Sequence, residues 1–380
     1  MNPPFFFESN VNYDKSSGAG TITTGFAELV PGTTPSGQVR SFDQDLRPQF
    51  TQQWNVFVER LLTSSMSLNL GYVGHHATNL VAPVEGNQPL PGVGDPSTWA
   101  PLNSRRPLIE EQPLITNIAT TTSRARSNYN ALQASLRQRS WKGLELLASY
   151  TFSKVLTNNL GYYGSGGVAA EGAYWQNAYE PEWNYGRAFA DARHNFVLAA
   201  NYELPFGKGK KWGSDWHGIT DAVLGGWQIS AIYQARTGFP ITVIDSRGSS
   251  LQAVRGNERP NCIGNPVPSN QGMTSNASDP NDSKWINIDA FARAPQGTWG
   301  DCGIGVLSAP GYTNTDFTLA KRFAAGGSRY LEFRAEAFNA FNHPNWSPPG
   351  RNIGDVNTFG IITGTVNAPR VVQFALKFYF

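Results

Sequence analysis

The sequence contains no apolar stretch near the ~18–20 residues that a membrane helix needs. Its apolar runs are short, as in FVLAA at 196–200. Charged residues are also scarce, at 15% of the chain against a usual ~25%. The formal net charge of +2 is close to zero and implies no broad surface for nucleic acid. We therefore expect no nucleic-acid partner.

Cysteine is rare as well. Cys262 and Cys302 are the only two, and both lie in a segment rich in Gly, Pro and Asn. A disulfide in an oxidising compartment and a pair of free thiols both fit this spacing. The first residues also lack the basic, apolar and small-residue regions of a secretory signal. Either the chain is cytoplasmic, or it is the downstream part of something longer.

Aromatic residues, by contrast, are abundant, at 12% of the chain. Many of them fall in segments where every second residue is apolar, which is the pattern of a β-strand with one buried face. Nine such segments are clear: 50–61, 64–75, 128–138, 143–155, 194–204, 226–237, 314–324, 329–341 and 370–380. A weaker tenth strand pattern covers 20–30. These segments exceed the usual ~5–6 residues of globular strands and suit a tilted bilayer span of ~9–11 residues with an extension.

The connections between these segments alternate in length. Segments 50–61 and 64–75 are nearly continuous, and the other shorter connections are 140–143, 205–225 and 324–328. The long connections are 76–127, 156–193, 238–313 and 342–369. Outer-membrane barrels have short periplasmic turns and long extracellular loops. The sequence therefore predicts an all-β fold, an antiparallel transmembrane β-barrel of about 9–10 long strands, whose C-terminus lies at the periplasmic rim.

The polar residues of these segments also alternate. Glu332, Arg334 and Glu336 share one face of their strand, and apolar residues occupy the other. A barrel with a polar lumen explains this pattern, but so does a soluble all-β domain whose polar face meets water. In the last strand every second residue from Phe374 to Phe380 is apolar, and the strand ends on an aromatic residue.

The sequence resembles a known family in several stretches. RYLEFRAEAFNAFNHPNW (329–346) and FGIITGTVNAPRVVQFALKFYF (359–380) resemble the C-terminal end of TonB-dependent outer-membrane receptors, most closely the Oar-like barrels. Further stretches that resemble this family are 128–156, 191–212, 224–243 and 284–323. The resemblance covers most of 41–380, and its specificity comes from the set rather than from any single stretch.

The resemblance implies a receptor of the Gram-negative outer membrane. Such a receptor has a barrel of about 22 strands around an N-terminal plug, binds a scarce solute and admits it when the TonB complex pulls the plug. This chain shows no plug, TonB box, regulatory-like domain or signal. We therefore expect 41–380 to be the C-terminal part of a truncated or split barrel, preceded by a loop or poorly ordered start at 1–40. The expected partners are outer-membrane lipid, the barrel-assembly machinery, the TonB complex through the missing plug, and an unknown solute.

The resemblance also suggests roles for particular residues. The last strand resembles the signal read by the barrel-assembly machinery, with an apolar row and Tyr379 at the aromatic girdle: Phe374, Leu376, Phe378, Tyr379 and Phe380. With the cysteines in the longest extracellular loop, a Cys262–Cys302 disulfide is favoured over free thiols. Aromatic residues crowd the loop 156–193 and either contact a ligand or pack the loops together. The candidates are Tyr162, Tyr163, Tyr174, Trp175, Tyr179 and Trp183.

No arrangement of residues points to catalysis, a metal or a cofactor, so we expect no enzymatic activity. Three functions remain open. The first is solute binding and uptake by an outer-membrane receptor. The second is a barrel that displays its loops for adhesion without transport, and the third is a soluble all-β binding domain.

Overall fold

The computed structural model describes residues 38–111, 113, 115–159, 161, 173–252, 256–269, 271 and 284–380. The strand pattern at 20–30 lies outside these residues. The strands are β1 (Gln38–Phe42), β2 (Phe50–Thr63), β3 (Met66–Glu85), β4 (Asn117–Trp141), β5 (Leu144–Thr157), β6 (Gly186–Arg187), β7 (His194–Glu203), β8 (Trp227–Arg236), β9 (Pro240–Ile241), β10 (Asn261–Cys262), β11 (Phe291–Ala292), β12 (Leu307–Ser308), β13 (Tyr312–Ala324), β14 (Tyr330–Phe338) and β15 (Val371–Tyr379).

Helical structure is sparse in the described part of the chain. It consists there of one short α-helix, α1 (Gly218–Leu224), and of 3-10 turns at Pro96–Thr98, Leu102–Arg105, Pro181–Asn184 and Ile288–Ala290. Among the residues described, no helix combines the length and apolar character needed to cross a membrane.

Nine long strands form one sheet in the order β2-β3-β4-β5-β7-β8-β13-β14-β15. Each of these strands overlaps one of the nine segments of alternating hydrophobicity, and neighbours in this order are antiparallel. The predicted strands and their antiparallel arrangement are confirmed. In the described part of the chain the two edge strands, β2 and β15, do not pair with each other. The sheet is therefore an open part of a barrel, as expected.

Two strands are longer than the sequence pattern predicts. β3 continues to Glu85 and β4 begins at Asn117, whereas the pattern ends at 75 and starts at 128. The added part of β4, NIATTTSRARS, is rich in Thr and Ser and lacks apolar alternation, so hydrophobic periodicity does not detect it. β1 crosses the predicted domain boundary at 40 and pairs with β4 in parallel, which departs locally from the antiparallel prediction.

The strand register gathers the predicted apolar rows on one face of the sheet, which we call the apolar face. Directly paired residues of antiparallel strands project from the same face. One such line runs across five strands, through Tyr202, Ile229, Leu319, Ala335 and Phe374. Every residue on it belongs to a predicted apolar row. A continuous apolar face is what a lipid-exposed barrel wall requires.

The opposite, polar face of the sheet carries paired polar side chains. Arg322 Nε lies 2.9 Å from Glu332 Oε2, and Arg334 Nη2 lies 3.0 Å from Glu336 Oε1. Gln373 donates to Glu336 from the next strand. The predicted row Glu332, Arg334 and Glu336 is thus a hydrogen-bonded ladder. Such a ladder suits the polar interior of a barrel, where unpaired charges would be costly.

The hydrophobic core lies at one end of the sheet, among the long connections. We call the connections 86–116, 158–193, 237–311 and 339–370, with the adjoining ends of β3 and β4, the loop layer. One cluster contains Ile241, Val243, Ile286, Ala290, Phe291, Cys302, Leu307, Ala309, Ile353 and Phe359. A second contains Ala82, Val84, Ala125, Trp175, Ala178 and Ile304. The long loops therefore fold together instead of projecting separately.

Candidate functional site in the loop layer

A buried arginine joins two of the long connections. Arg259 is only 3% exposed. Its guanidinium donates to the carbonyl oxygens of Cys302 (2.6 Å) and Trp183 (2.8 Å) and to Asn184 Oδ1 (2.9 Å). Its backbone N–H donates to Gln176 Oε1 at 2.6 Å. Because these acceptors belong to the connections 158–193 and 237–311, the hydrogen bonds of this one residue hold the two connections together.

A second buried arginine closes the base of the connection 86–116. Arg106 donates to the carbonyl oxygen of Asn87 at 2.7 Å, to that of Thr116, and to Asn103 Oδ1 at 3.1 Å. Burial lowers the pKa of Arg106, and the nearby Glu85 carboxylate acts in the opposite direction. Charge-assisted hydrogen bonds of this kind are stronger than neutral ones, so this connection is held in a defined shape.

Cys262 and Cys302 form a disulfide whose Cα atoms are 4.9 Å apart. Cys302 lies in the core cluster, and Cys262 lies at the exposed edge of the two-stranded β10–β11 sheet. The backbone N–H of Cys262 also donates to Asp301 Oδ1 at 2.8 Å. The crosslink thus ties an outer strand of the loop layer to its interior.

We predict that both cysteines resist alkylation until the protein is reduced. The crosslink spans a sequence separation of 40 residues, for which the chain-entropy model gives about 3–4 kcal/mol of stabilisation. Mass spectrometry after alkylation, with and without reductant, measures the pairing. In limited proteolysis, the segment 262–302 should then be cleaved faster in the reduced protein than in the oxidised protein. Full alkylation of both thiols without reductant would refute the crosslink.

The predicted ligand-contacting aromatic residues lie in different environments. Trp175 is 3% exposed, and its Nε1 donates to the carbonyl oxygen of Asn158 at 2.6 Å. Its ring packs in the core of the loop layer and has no surface to offer a ligand. Tyr174 is half-buried. Tyr162 and Tyr163 lie outside the described residues.

Tyr179 and Trp183, in contrast, reach the surface, with 41% and 45% exposure. The Tyr179 hydroxyl donates to the carbonyl oxygen of Gln88 at 2.5 Å. Burial of that hydroxyl raises the pKa of Tyr179, and the Glu85 carboxylate adds to the effect. Tyr179 therefore stays neutral, with its hydroxyl bound inside the layer and its ring open to solvent.

Trp183 forms an aromatic pair with a residue that sequence reasoning missed. The ring of Trp299, from the connection 237–311, lies edge-on at 6.5 Å between centroids. Because Arg259 binds the Trp183 carbonyl oxygen, the backbone beneath this pair is fixed. We call Tyr179, Trp183 and Trp299 the aromatic surface. The only sequence signal for Trp299 was an aromatic residue in a long loop.

Two acidic side chains, Glu258 and Asp245, accept hydrogen bonds within the loop layer. Glu258 accepts hydrogen bonds from the backbone and hydroxyl groups of Ser249 and Ser250. Burial acts to raise the pKa of Asp245, but hydrogen bonds from Arg247 outweigh it and hold that pKa below its ordinary value. The described residues include no group of three or more His, Cys, Asp or Glu that could hold a metal ion.

A cavity of about 830 Å³ lies where β7 and β8 meet the loop layer. Its lining includes Arg193, Trp285 and Leu307, together with Phe196 and Ala235. The last two belong to the apolar face of the sheet. The cavity therefore borders the apolar face of the sheet.

The C-terminal strand presents the predicted apolar row. Phe374, Leu376, Phe378 and Phe380 are all exposed, and the outer edge of β15 is unpaired within the described chain. Tyr379 projects from the other face and stacks on Tyr330, with centroids 4.5 Å apart. It therefore does not extend the apolar row. The row itself has the exposure that recognition of an edge strand would need.

The chain matches the family described as "Outer membrane beta barrel domain" over residues 1–373. The chain belongs to this family. It is therefore a protein of the outer membrane, and this is a barrel family rather than an enzyme family. With a continuous apolar face, the membership excludes the soluble all-β binding domain. No curated protein matches the chain.

Several solved structures of outer-membrane proteins are similar to the chain. The pyoverdine receptor FpvA from Pseudomonas aeruginosa PAO1, solved with pyoverdine bound, is 12% identical over 88% of this chain and 30% of its own, with a TM-score of 0.42. The outer membrane transporter YddB from Escherichia coli is 9% identical over 90% and 34%, with a TM-score of 0.45. BauA, the ferric preacinetobactin receptor from Acinetobacter baumannii, is 12% identical over 87% and 30%, with a TM-score of 0.37. The chain thus spans about a third of the length of these proteins.

Proposed function

We propose that this chain is the C-terminal part of a TonB-dependent, Oar-like receptor that binds a solute at its loop layer and admits it to the cell. The observation that carries this proposal is the aromatic surface on a folded layer. Tyr179 and Trp183 are exposed, yet hydrogen bonds of the Tyr179 hydroxyl and of Arg259 fix their positions. Binding to such a preorganised surface costs less conformational entropy than ordering free loops, and rigidly held loops are common binding sites.

The proposal includes an orientation in the membrane. The loop layer faces the medium, the short turns face the periplasm, and residues 41–380 form the barrel part. The free edges of β2 and β15 would pair with further strands, because lipid provides no partners for open backbone groups. The plug through which the TonB complex would act belongs to sequence outside this segment. The apolar row of β15 serves as the signal for the barrel-assembly machinery.

The test follows solute depletion by cells that carry the full receptor. Untargeted mass spectrometry of the medium compares receptor-bearing and deletion strains, with and without a proton uncoupler. We expect a solute that only energised, receptor-bearing cells deplete. The double variant Tyr179→Ala, Trp183→Ala should slow its depletion at limiting concentration by about tenfold or more, since each exposed aromatic contact contributes on the order of 1 kcal/mol.

The matched control is Trp141→Ala, which removes a comparably exposed ring at the short-turn end of the sheet, where β4 ends. It should leave uptake unchanged. If the double variant depletes the solute at the normal rate, the two aromatic rings do not contact it.

A second candidate is a barrel that displays the loop layer for adhesion. The observation in its favour is a set of exposed apolar side chains on the layer, with Val93, Ile263 and Val356 each more than half exposed. Such residues suit contact with another protein or a matrix. Receptor-dependent attachment of cells, without energised depletion of any solute, would favour display over uptake.

A further inference from the structure

A lysine interrupts the apolar face near the short-turn end of the sheet. Lys321 occupies an apolar-row position of β13, between Leu319 and Phe323. Its side chain is nonetheless buried, and its Nζ donates to the carbonyl oxygens of Asp221 (3.0 Å) and Gly225. Both oxygens lie at the C-terminal end of α1, where helices favour positive charge.

This contact places α1 on the outside of the sheet. Because Lys321 projects from the apolar face, the α1 carbonyl groups that receive it lie on that face too. A second tether comes from Trp227, another member of the apolar row, whose Nε1 donates to the carbonyl oxygen of Val223 at 2.8 Å. The Lys321 ammonium also lies 5.5 Å from the centre of the Trp227 ring. The helix is thus fastened beside the lipid-facing wall.

The free side of α1 is apolar. Ile219 is 83% exposed, and Val223 and Leu224 are each more than half exposed. The neighbouring turn adds the exposed rings of Phe206 and Trp212, whose centroids are 5.1 Å apart. Exposed apolar clusters are rare on protein surfaces that face only water, so this cluster needs a partner.

Basic residues surround the same cluster. Lys208 and Lys211 are exposed, and the Lys211 ammonium lies 4.8 Å from the centre of the Trp212 ring. Lys210 pairs with Glu203 at 2.7 Å. The acidic groups nearby are Asp215 and Asp221, and Asp221 Oδ1 accepts the backbone N–H of Lys208. Apolar side chains with Trp and Lys beside them are the composition of membrane interfaces.

We propose that α1, with Phe206, Trp212, Lys208 and Lys211, is an interfacial foot that inserts into the lipid leaflet at the short-turn end of the barrel. Its apolar side chains enter the acyl boundary, and its lysines bind the phosphates of anionic phospholipids. Lipid is the occupant because the foot continues the apolar face of an outer-membrane barrel. The buried Lys321 is the latch that holds the foot against the wall.

The test uses the receptor that contains this segment, in phosphatidylcholine vesicles with about 30% phosphatidylglycerol, a content that provides anionic phosphates. A nitrobenzoxadiazole dye is attached to Ile219→Cys without reductant, so that the native disulfide stays closed. A spin label near the lipid headgroup quenches the dye. Ile229→Cys on the apolar face is the positive control, and Ser328→Cys in the turn between β13 and β14 is the aqueous control. Quenching is compared within the vesicle-bound fraction isolated by flotation.

We expect quenching at position 219 at least about threefold above that at 328 and close to that at 229, since interfacial side chains lie within the headgroup and acyl boundary. Adding Val223→Asp should reduce quenching at position 219. It should not reduce quenching at 229, because a dye there lies on the apolar face of the sheet and does not depend on the foot. A dye at 219 as weakly quenched as one at 328 would overturn the foot.

The phosphate contact has its own readout. Quenching at 219 should rise with phosphatidylglycerol content in the parent protein and lose that dependence in Lys208→Glu, Lys211→Glu. If the dependence on phosphatidylglycerol persists in that double variant, the two lysines are not the phosphate ligands.

Discussion

Phe374→Lys will prevent stable insertion of the barrel, whereas Gln373→Lys, one residue away, will be tolerated. Phe374 lies on the apolar face, exposed and stacked beside Phe333 with ring centroids 6.3 Å apart. A lysine there meets lipid, at a cost of about 2–4 kcal/mol near the bilayer midplane. Gln373 projects from the polar face and donates to Glu336, so a lysine at this position would meet a carboxylate instead.

The pair of variants is compared in the receptor that contains this segment. Heat-modifiable gel mobility reports the folded fraction in outer membranes, and urea unfolding in vesicles gives the change in free energy. We expect Gln373→Lys to stay within about 1 kcal/mol of the parent, as lumen substitutions do not place charge in lipid. If both variants lost the same folded fraction and the same free energy of unfolding, the two faces of β15 would not be lipid-facing and polar as the register indicates.

Arg259→Met will disorganise the loop layer while leaving the barrel wall folded. The substitution keeps much of the side-chain volume but removes the donors to Cys302, Trp183 and Asn184. Breaking a buried charged network by removing one member costs about 3–5 kcal/mol, because the buried acceptors lose their hydrogen-bond donor and no water replaces it. The aromatic surface should lose its fixed geometry with it, so solute binding should fall as well.

Limited proteolysis and hydrogen exchange separate the two parts of the molecule. Cleavage within 173–191 and 237–269 should accelerate by about a hundredfold or more if 3 kcal/mol of local stability is lost. Protection of the amides in β13 and β14 should not change. Arg293→Met is the control, because Arg293 is exposed and donates to the Gly248 carbonyl oxygen at the surface. Unchanged cleavage in Arg259→Met would remove this residue from any role in holding the layer.

The sequence pattern predicts the strands of the barrel wall better than it predicts the structure of the loop layer. Alternation of apolar and polar residues is a local property with a period of two, and each of the nine strands carries it. The pattern missed the outer end of β4 because that end bears Thr, Ser and Arg, and the outer end of β3 because its apolar residues do not alternate with polar ones. Both ends pack against loops instead of lipid. The pattern also did not predict α1, since seven residues are too few to show a helical period.

The candidate site shows the limit of composition. Trp175 and Trp183 lie in one aromatic-rich connection and look equivalent in sequence, yet Trp175 is buried and Trp183 is exposed. The difference depends on which ring meets Ala82, Val84 and Ile304, which are far away along the chain. Trp299 joined the aromatic surface for the same reason, because its partner Trp183 comes from another connection.

The sequence by itself determined the strands, their two faces and the alternation of short and long connections, because each depends on residues that are close together in the chain. Only the tertiary structure decided that the long connections fold into one layer, that Arg259 joins two of them, and that α1 lies beside Lys321. Those contacts join residues about 75 to 100 positions apart. Their energy comes from burying and pairing groups that no local pattern brings together.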